Sequence, residues 1–371
     1  MHELPLPNGS ERALVARARA GERDAFALLV GPHRRGLHLH CYRMVGSLHE
    51  AEDLLQETFL RAWRALARFE ERSSVRAWLY RIATNACLDA LKRRRRRILP
   101  DAYVEPADPD AVPEPAAAEV LWLEPYPDRL LDRDDDADPA RRYEAREAIE
   151  LTFVTAIQHL SPRQRAVLIL RDALGFSARE TAAMLESSLA SVNGALHRAR
   201  AAVERGGAQP GRREPTPAHE RAALVRRYVR AWEAADIEAL VALLREDARM
   251  TMPPTPSWYL GRAAIARFLA GFFAGEPGAD TRLVATAANR QPALAVYSRG
   301  TEDAYRPLAI KVLTIDRGRI AAITGFTDPS LFPFFDLAPV AHFGGSVSTK
   351  RIASSSQPRS AAAVSSPAAA T

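Results

Sequence analysis

The sequence predicts a multidomain chain in which two all-α segments precede a cone-shaped α+β domain. Apolar residues recur at helical spacing almost throughout residues 10–97, which predicts the first helical segment. Residues 161–203 contain three short helical stretches separated by residues typical of helix ends, which predicts the second. After a joint rich in Pro and Arg at 209–217, helical stretches give way to the alternation of strands at 282–327.

The composition limits the classes of protein to consider. The 371 residues suffice for about two to three domains, and a formal net charge of +6 favours an acidic partner such as nucleic acid. Cys41 and Cys87 are the only cysteines, which argues against a disulfide framework and a cysteine zinc site; we predict no metal and no cofactor. The start of the chain lacks a signal-peptide pattern and no apolar run is long enough to span a bilayer. We therefore expect a soluble cytoplasmic protein with no membrane partner.

The first helical segment divides into predicted helices at 11–20, 23–45, 49–67 and 75–97. Ser47 with Glu50 three residues later is a capping-box pattern that starts the third helix. We expect the outer face of that helix to carry Asp53, Gln56 and Glu57. On the fourth helix the expected outward residues are Arg76, Tyr80, Arg81, Asn85 and Asp89.

Six consecutive cations at 92–97 end the fourth predicted helix. Cations suit the dipole at a helix C-terminus, so a solvated charge run is one interpretation. Six exceed what capping requires, and we prefer a patch that contacts nucleic-acid phosphates. Tyr80 and Trp78 lie near enough to stack on unpaired bases, although for Trp78 we favour core packing.

Residues 161–203 predict a helix-turn-helix. Ser161 caps a helix that starts at Pro162, and Gly175 ends it. Ser177 with Glu180 forms a capping box for the next helix. A short helix, a tight turn and a second helix with a basic polar face place that second helix in a DNA major groove, whereas an ordinary three-helix bundle is the alternative.

The last helix of this segment, from Leu189, carries the candidate DNA contacts. Ser191 and Asn193 lie near its N-terminus and are candidate base contacts, whereas Arg198 and Arg200 lie further along and are candidate phosphate contacts. The complete outward face is predicted to consist of Ser188, Ser191, Asn193, His197, Arg198 and Arg200.

Two stretches of the chain resemble parts of one protein family. Residues 50–97, which begin EAEDLLQETFLRAWRALARF, look like region 2 of a sigma-70 family factor of the extracytoplasmic-function (ECF) type, and residues 161–203 resemble region 4. The two matches come in the order in which the family has these regions, so together they make the resemblance more specific than either match alone. The resemblance implies a bacterial promoter-recognition subunit of RNA polymerase, with region 2 at 10–98 and region 4 at 143–206. Its implied partners are core RNA polymerase and promoter DNA, as duplex and as melted strand.

The resemblance also implies roles for individual positions. Asp53, Gln56 and Glu57 would contact the polymerase clamp helices, and the helix from Leu189 would read the minus-thirty-five element through the face described above. The loop at 69–74 and the following helix would capture flipped bases of the melted minus-ten element, because a pocket for an extruded base offsets the energy of unstacking it. The implied minus-ten residues are Phe69, Ser73, Arg76, Tyr80, Arg81, Asn85, Lys92 and Arg93.

Residues 99–142 have the composition of a linker. Seven prolines between 100 and 127 exclude long regular elements, and acidic residues give the segment a charge opposite to that of region 2. The family resemblance implies that such a linker runs extended through the polymerase toward its active-centre cleft. The apolar stretch VLWLEPYP at 120–127 resembles the tryptophan–proline motif of sigma factors with a C-terminal extension. Trp122 and Tyr126 therefore either dock on that extension, as a cis-regulatory contact, or pack locally on region 2 or 4.

Residues 218–337 form the predicted α+β domain. Helical stretches at 219–245, with a break near Asp236, and at 262–273 surround a short strand at 248–253 and a Pro-rich loop to Ser257, after which residues 258–261 lead into the second stretch. Strands follow at 282–288, 294–298, 308–316 and 320–327, the last two joined by a hairpin turn at Gly318. The pattern resembles the SnoaL-like, nuclear-transport-factor-two-like superfamily, which includes isomerases, cyclases, hydrolases and noncatalytic binders. We expect residues 344–371 to be disordered.

The α+β domain offers weak candidates for catalysis. Tyr259, Asp247, Tyr297 and Asp303 are candidate pocket residues, and an Asp in an apolar cone can act as a general base. Residues 220–341 contain no histidine and no carboxylate pair at a telling spacing. We therefore predict no catalytic residues and interpret the domain as a regulatory module.

The sequence thus predicts an ECF sigma factor that its SnoaL-like extension regulates in cis. The hypothesis is that the extension holds regions 2 and 4 together by contacting Trp122 and Tyr126. An anti-sigma factor and a small ligand of the extension are further candidate partners. The alternative is a helix-turn-helix transcription regulator fused to a small-molecule-binding or isomerase/cyclase-type enzyme domain. Duplex binding without polymerase, or turnover of an apolar ligand, would distinguish it.

Overall fold

The protein is described by a computed structural model that covers residues 8–71, 73–92, 96–116, 120–131, 149–205, 216–275, 278, 280–300 and 304–343. The predicted tail at 344–371, the linker from 132 to 142, Arg93 and Asp303 lie outside the described residues. Four segments follow one another: an N-terminal bundle (8–92), a linker (96–131), a helix-turn-helix segment (149–205) and a C-terminal domain (216–343).

The described N-terminal bundle contains the helices α1 Asn8–Arg19, α2 Arg23–Val30, α3 Arg34–Val45, α4 Leu48–Ala65 and α5 Val75–Leu91. Ser47 caps α4 by accepting a hydrogen bond from the Glu50 amide at 3.1 Å, as its sequence pattern predicts. The single helix expected at 23–45 is wrong: a 3-10 turn, Gly31–His33, interrupts it, because Pro32 has no N–H for a helical hydrogen bond. The helix expected to reach residue 97 ends at Leu91.

The helix-turn-helix segment contains α6 Leu151–Gln158, α7 Pro162–Leu168, α8 Ala178–Met184 and α9 Leu189–Arg205. Ser161 and Ser177 each form a capping box, with Gln164 and Glu180 respectively, so both predicted helix starts are confirmed. After α7 the chain makes a π-helical turn, Ile169–Ala173, and Gly175 ends the helical path with a φ of +71°.

The C-terminal domain packs three described helices on one face of a sheet. The helices are α10 Ala218–Glu233, α11 Ile237–Ala242 and α12 Arg262–Ala274. The strands are β1 Leu244–Met252, β2 Thr255–Leu260, β3 Thr281–Ala288, β4 Gln291–Arg299, β5 Tyr305–Asp316 and β6 Arg319–Phe326. Their order is β2-β1-β6-β5-β4-β3, with β1 and β6 parallel and the other neighbours antiparallel. Arg317 and Gly318, with φ of +48° and +71°, make the predicted hairpin turn between β5 and β6.

Two sequence expectations for this domain need correction. The end of the expected loop and the residues after it form strand β2 instead, since Tyr259 pairs with Met250 and Trp258 with Thr251 of β1. The helical stretch at 219–245 ends at Ala242, and Leu244 already begins β1. In both cases pairing with a neighbouring strand outweighs the local pattern.

The sheet of the C-terminal domain is buried on both faces. Leu294 and Leu313 lie on its inner face, in a hydrophobic cluster with α10, α11 and α12. Ala293 and Val312, one residue away along the chain, lie on the outer face. That outer face shares a hydrophobic cluster with the N-terminal bundle, the linker and the helix-turn-helix segment. The sheet therefore joins the C-terminal domain to the other three segments.

The described linker packs against its neighbours, which differs from the expected extended thread. The Ile98 amide donates to the Leu121 carbonyl at 3.1 Å, and the Leu123 amide donates to the Ile98 carbonyl at 3.0 Å. Further along, the Ala107 amide donates to the Trp258 carbonyl at 2.8 Å, so the linker also follows the β2 edge. Within the described residues, no helix combines the length and apolarity needed to cross a membrane.

Candidate nucleic-acid interface and its closure

The outer face of α9 is open to solvent. The candidate DNA contacts Ser188, Ser191, Asn193, His197, Arg198 and Arg200 are all exposed. Val192 and Ala199 on the opposite side are buried, so the predicted orientation of the helix is confirmed. Ser188 caps α9 by accepting a hydrogen bond from the Ser191 amide at 3.1 Å. Arg200 holds Asp172 through two hydrogen bonds of 2.9 and 2.7 Å, so a phosphate must displace that carboxylate to bind it.

The predicted polymerase-binding residues share one exposed side of α4. Asp53 and Gln56 are exposed, and Glu57 is half-buried because it pairs with Arg61 at 2.7 Å. Of the predicted minus-ten residues, Ser73, Arg81 and Lys92 are exposed and Asn85 is half-buried. Arg93 lies outside the described residues.

Two predicted minus-ten residues are buried instead of facing outward. Tyr80 is 4% exposed; its ring lies between His40 and Phe176, with ring centroids 5.3 and 5.5 Å away. Phe69 is 5% exposed and packs on Trp78 at 4.7 Å between centroids, which places Trp78 in the core as favoured. The expectation for Tyr80 is wrong because its ring packs on α3 through His40, and Phe176, remote in sequence, covers it from the other side.

Lys92 and Arg97, the two ends of the basic run at 92–97, have different surroundings in the described structure. Lys92 is exposed and pairs with Asp89 at 2.8 Å. Arg97 turns inward, with its side chain 12% exposed, and donates to Glu50 at 2.8 Å and to the Trp122 carbonyl at 2.7 Å. Arg97 therefore fixes the linker to the N-terminal bundle, which corrects its assignment to a solvent-facing patch.

The helix-turn-helix segment contacts the minus-ten helix α5 directly. The Arg76 guanidinium lies 4.3 Å from the centre of the Phe176 ring and 5.2 Å from that of Tyr80. Arg76 also donates to the Leu174 carbonyl at 3.0 Å. Cation–π contacts of this kind add to apolar burial. Arg76 and Tyr80, both predicted to contact melted DNA, are thus engaged by the turn that follows α7.

A buried arginine connects the helix-turn-helix segment to the end of α3. Arg165 is 2% exposed and donates to the carbonyls of Ile157 and Gln158, each at 3.0 Å, and to the carbonyl of Met44. Gln158 donates to the Arg43 carbonyl at 3.2 Å. Burial lowers the pKa of Arg165 to about 10, so the guanidinium remains protonated at neutral pH. A charge in such a place requires these carbonyl partners.

The linker caps the N-terminus of α4 from outside. Glu124 accepts hydrogen bonds from the Ser47 hydroxyl at 2.9 Å and the Leu48 amide at 2.8 Å. Its carboxylate also lies 3.0 Å from Nδ1 of His49. An anion at this end of a helix is stabilised by the free amides and the helix dipole. Glu124 therefore joins the linker to the N-terminal bundle at a defined position.

Tyr126 and Asn289 form the centre of a junction between all four segments. Tyr126 is fully buried, and its hydroxyl lies 2.8 Å from Nδ1 of His38 in α3. Asn289, in the β3–β4 turn, donates through its side chain to the Tyr42 hydroxyl at 3.1 Å and to the Ile149 carbonyl at 2.8 Å. One turn residue of the C-terminal domain thus contacts the bundle, the linker and the helix-turn-helix segment.

Sequence reasoning missed Asn289. Its φ of +55° and that of Arg290, +57°, show a turn that Asn tolerates better than most residues. The available signal was an Asn between two predicted strands, but a turn residue is ordinarily exposed. Asn289 is fully buried because the hairpin tip enters the junction between the other segments.

Further polar contacts surround this junction. Arg129 of the linker donates to the Phe334 carbonyl at 2.6 Å. Gln291 of β4 accepts from the Leu151 amide, at the start of α6, at 3.0 Å. Trp122 packs edge-on against Tyr103 at 5.9 Å, both in the linker. Of the two predicted linker contacts, Trp122 packs within the linker. The Tyr126 side chain packs on His38 and Tyr42 of the N-terminal bundle, and its backbone pairs with Asn289 of the C-terminal domain.

The three candidate pocket residues that the structure describes, Asp247, Tyr259 and Tyr297, do not form one pocket. Asp247 is exposed and pairs with Arg245 at 2.9 Å. Tyr297 lies on the outer sheet face and donates to the Ala338 carbonyl at 2.9 Å, whereas Tyr259 belongs to the inner cluster. Among the described residues, no group of three or more His, Cys, Asp or Glu side chains is placed to hold a metal ion.

Comparisons with known proteins agree with this division of the chain. Family models match at residues 29–97 (Sigma-70 region 2), 150–203 (Sigma-70, region 4) and 225–323 (SnoaL-like domain). The chain is 44% identical over 316 residues to ECF RNA polymerase sigma factor SigG of Mycobacterium tuberculosis, covering 85% of this chain and 84% of SigG. It is 30% identical over 193 residues to ECF RNA polymerase sigma factor SigW of Bacillus subtilis, covering 52% of this chain and 93% of SigW.

A solved structure supports the fold over most of the chain. The crystal structure of Mycobacterium tuberculosis extracytoplasmic function sigma factor SigJ matches with a TM-score of 0.53 at 24% identity. The match covers 82% of this chain and 97% of the SigJ chain.

Proposed function

Because the chain belongs to the ECF sigma factors of the sigma-70 family, we propose that it recruits core RNA polymerase to specific promoters and that its C-terminal domain holds it closed until it is needed. Region 2 corresponds to the N-terminal bundle and region 4 to the helix-turn-helix segment. The observation that carries the proposal is the contact of Arg76 and Tyr80 with Phe176.

In the proposed initiation step each DNA contact has a physical task. The exposed face of α9 meets duplex DNA at the minus-thirty-five element, where Asn193 and Ser191 are the base contacts and Arg198 is a phosphate contact. Asp53, Gln56 and Glu57 meet the polymerase. The loop after α4 and the helix α5 hold the melted minus-ten strand. Binding energy drives melting, since unstacking a base costs a few kcal/mol that a protein pocket offsets.

The closed arrangement is incompatible with part of this task. Tyr80 at 4% exposure offers no ring face to a base, and the Arg76 guanidinium is shared by two rings and a carbonyl. For Tyr80 to contact DNA, the helix-turn-helix segment must leave α5, whereas Arg76 is exposed and would have to give up its contacts with Phe176 and the Leu174 carbonyl. Arg165 and the Tyr126–Asn289 junction oppose that movement, because opening would strand buried hydrogen-bonding groups.

We propose a noncatalytic, regulatory role for the C-terminal domain. Sigma factors are not enzymes, and the candidate pocket residues of this domain lie apart. Its sheet instead contributes an outer face to the cluster shared with the two sigma regions. A small ligand of the domain, or an anti-sigma factor that binds the closed chain, would shift the balance between closed and open forms.

In vitro transcription with purified core polymerase tests the recruitment. The full-length chain with core should give transcripts from defined start sites selected out of a randomised promoter library, and the chain alone should not retain those promoters. Sequence-specific duplex binding by the chain alone, with no gain from core, would instead identify a helix-turn-helix regulator.

Distance measurements test the closure. Labels attached through Ala67→Cys in the N-terminal bundle and Ala183→Cys in the helix-turn-helix segment occupy exposed positions, while Cys41 and Cys87 are buried. We expect one short distance in the free full-length chain and a longer one in complex with core polymerase. Identical distances in both states would refute the closure.

A further inference from the structure

Lysine is rare in this chain, and one lysine lies inside the fold. Lys92, Lys311 and Lys350 are the only lysines among 51 Lys and Arg residues. Lys92 is exposed, Lys350 lies outside the described residues, and Lys311 is 6% exposed. A guanidinium stays protonated in proteins, whereas an amine that is buried can lose its proton and act as a nucleophile. Because the chain otherwise uses Arg for positive charge, the buried Lys311 indicates a role that requires an amine.

Lys311 occupies the middle of β5 on the inner face of the sheet. Its partners across the sheet are Leu294 on β4 and Gly325 on β6. Gly325 faces the stem of the lysine, since a Cβ added there would lie in van der Waals contact with Cγ of Lys311 at 3.7 Å. The amine points toward the domain's helices, because it lies beside Trp232 of α10 and Phe272 of α12 in a cluster that is otherwise largely apolar.

The amine rests on an aromatic ring that is itself fixed. Nζ of Lys311 lies 3.0 Å from the centre of the Trp232 ring and 5.9 Å from that of Phe272. The Trp232 indole donates to the Thr281 hydroxyl at 2.9 Å, which sets the orientation of the ring. In the part of the chain that the structure describes, Nζ makes no hydrogen bond and no ion pair. Burial lowers the pKa of Lys311 well below its usual value, which favours the neutral amine.

Two buried hydroxyls of the same cluster also lack partners. Neither Tyr228 nor Tyr259 has a hydrogen-bond partner for its hydroxyl among the described residues. The Tyr228 ring stacks near Trp232, with centroids 6.0 Å apart. Unsatisfied buried polar atoms cost roughly 1–3 kcal/mol each and are uncommon in folded proteins. Together with the unpaired amine, they indicate a place for a ligand that brings its own polar atom into an aromatic cage.

We propose that Lys311 captures a small apolar aldehyde or ketone inside this cone as a Schiff base. The neutral Nζ attacks the carbonyl carbon and forms a C–N bond, and a proton passes from nitrogen to oxygen to give the carbinolamine. That hydroxyl then leaves with a proton as one molecule of water, and the C=N bond forms. No oxidant or reductant takes part.

The surroundings favour a carbonyl compound over an anion. A neutral amine offers little attraction to a carboxylate, which would also lose its hydration on entering an aromatic cluster. The unpartnered Tyr228 hydroxyl is the candidate donor to the carbonyl oxygen, and the face of Trp232 stabilises a protonated imine. The capture does not rest on the regulation proposed above, although Ile310 and Val312, on either side of Lys311 in β5, belong to the cluster shared with the sigma regions.

Reductive trapping tests the proposal. The full-length protein is incubated at pH 7 with trans-cinnamaldehyde, an apolar aldehyde, and sodium cyanoborohydride, and labelling of each lysine is followed by peptide mass spectrometry. We expect Lys311 to be labelled at least about tenfold faster than Lys92, because burial favours the neutral, nucleophilic amine of Lys311, whereas Lys92 is exposed and paired with Asp89. Lys92→Arg should leave the labelling of Lys311 unchanged, and both Lys311→Met and Lys311→Arg should abolish the fast adduct.

Two further measurements separate capture from general reactivity. Between pH 7 and pH 9 the labelling rate of Lys311 should change less than that of Lys92, because burial favours the neutral amine of Lys311 already at lower pH. In urea the preference for Lys311 should vanish. Labelling of Lys311 no faster than of Lys92 in the folded wild-type protein, or an equal preference in urea, overturns the proposal; this comparison needs no variant to fold.

Discussion

Tyr126 and Asn289 form two hydrogen bonds of 2.8 Å each: the backbone N–H of Tyr126 donates to Oδ1 of Asn289, and the backbone N–H of Asn289 donates to the Tyr126 carbonyl. The residues are 163 positions apart in the chain, and both are fully buried. These hydrogen bonds fix the tip of the β3–β4 hairpin to the linker. Asn289 can therefore be substituted to test the proposed closure without changing any residue predicted to contact DNA or polymerase.

Asn289→Ala should loosen the closed form. The change leaves the Tyr126 amide and the Ile149 carbonyl without their partners, and Ala tolerates a positive φ poorly, so we expect a loss of about 3 kcal/mol in unfolding free energy. Loss of the junction should also raise transcription at limiting core polymerase. Urea unfolding and in vitro transcription measure the two effects.

Arg317→Ala is the matched control for Asn289→Ala. Arg317 also has a positive φ, +48°, in a β-hairpin turn, but it is exposed and remote from the junction. We expect unchanged transcription and less than about 0.5 kcal/mol change in stability. If Asn289→Ala behaves as Arg317→Ala does, the junction does not hold the chain closed.

Phe176→Ala should uncover the minus-ten helix. The substitution removes the ring that packs on Tyr80 and Arg76 while leaving both residues in place, so α5 should exchange amide hydrogen faster and transcription should rise. Phe26→Ala serves as control, because Phe26 packs on Trp63 within the N-terminal bundle. Equal transcription by the two variants would argue against a gating role for Phe176.

Lys92→Ala and Arg97→Ala should act differently although both residues belong to the basic run. Lys92 is exposed, so its loss should lower the salt dependence of promoter binding by about one counterion with little effect on stability. Arg97 pairs with Glu50 and the Trp122 carbonyl in a largely buried position, so its loss should destabilise the fold by about 2 kcal/mol. A salt titration of holoenzyme binding and urea unfolding measure the two effects. If both substitutions lowered the salt dependence equally and left the stability unchanged, the two residues would belong to one DNA-binding surface.

Asn193→Ala and Arg198→Ala should separate base reading from phosphate binding on α9. Loss of Asn193 should change the preferred base at one minus-thirty-five position, with a discrimination of about 1–3 kcal/mol. Loss of Arg198 should weaken binding to all sequences alike. Selection from a randomised upstream element with each holoenzyme gives the comparison, and Arg226→Ala, an exposed arginine of the C-terminal domain, is the control. An unchanged preference in Asn193→Ala would remove that residue from the reading face.

His40 should make the fold sensitive to acid. Burial, with a smaller contribution from Arg43, lowers the pKa of His40 to about 3, whereas an unfolded histidine titrates near 6.5. Below about pH 6.5 the unfolded chain therefore binds a proton that the folded chain does not, and stability falls by about 1.4 kcal/mol per pH unit until about pH 3. His40→Gln can keep a hydrogen bond to Thr84 and should reduce the slope of unfolding free energy between pH 4 and 6, whereas exposed His197→Gln should not. Equal slopes in all three proteins would contradict the assignment.

Local signals in the sequence predicted the helix starts well. Ser47, Ser161 and Ser177 each cap the helix that their sequence pattern predicted, because capping depends on residues within one turn. The hairpin turn at Gly318 followed from equally local chemistry. The burial of Val192 and Val203 on α9 followed from helical periodicity.

Local signals of this kind could not predict the contacts between segments. The helical pattern on α5 placed Tyr80 on the outward face, but Tyr80 packs between His40 of α3 and Phe176, which is almost a hundred positions away in the chain. Arg97 was predicted to be a surface cation because arginine is seldom buried, and its partners Glu50 and the Trp122 carbonyl show otherwise. The burial of Arg165 had no signal in the sequence. Asn289 carried a turn signal and gave no sign that the turn enters an interface.

The apolar outer face of the sheet constrains how such a protein can be switched on. Residues such as Ala293, Ile310 and Val312 would meet water if a protease cut the chain between the helix-turn-helix segment and the C-terminal domain and that domain moved away. The freed fragment would expose an aggregation-prone surface, and the remaining chain would lose part of its core. We therefore expect activation to be reversible and to proceed within the intact chain, so that one molecule can serve repeated rounds of initiation.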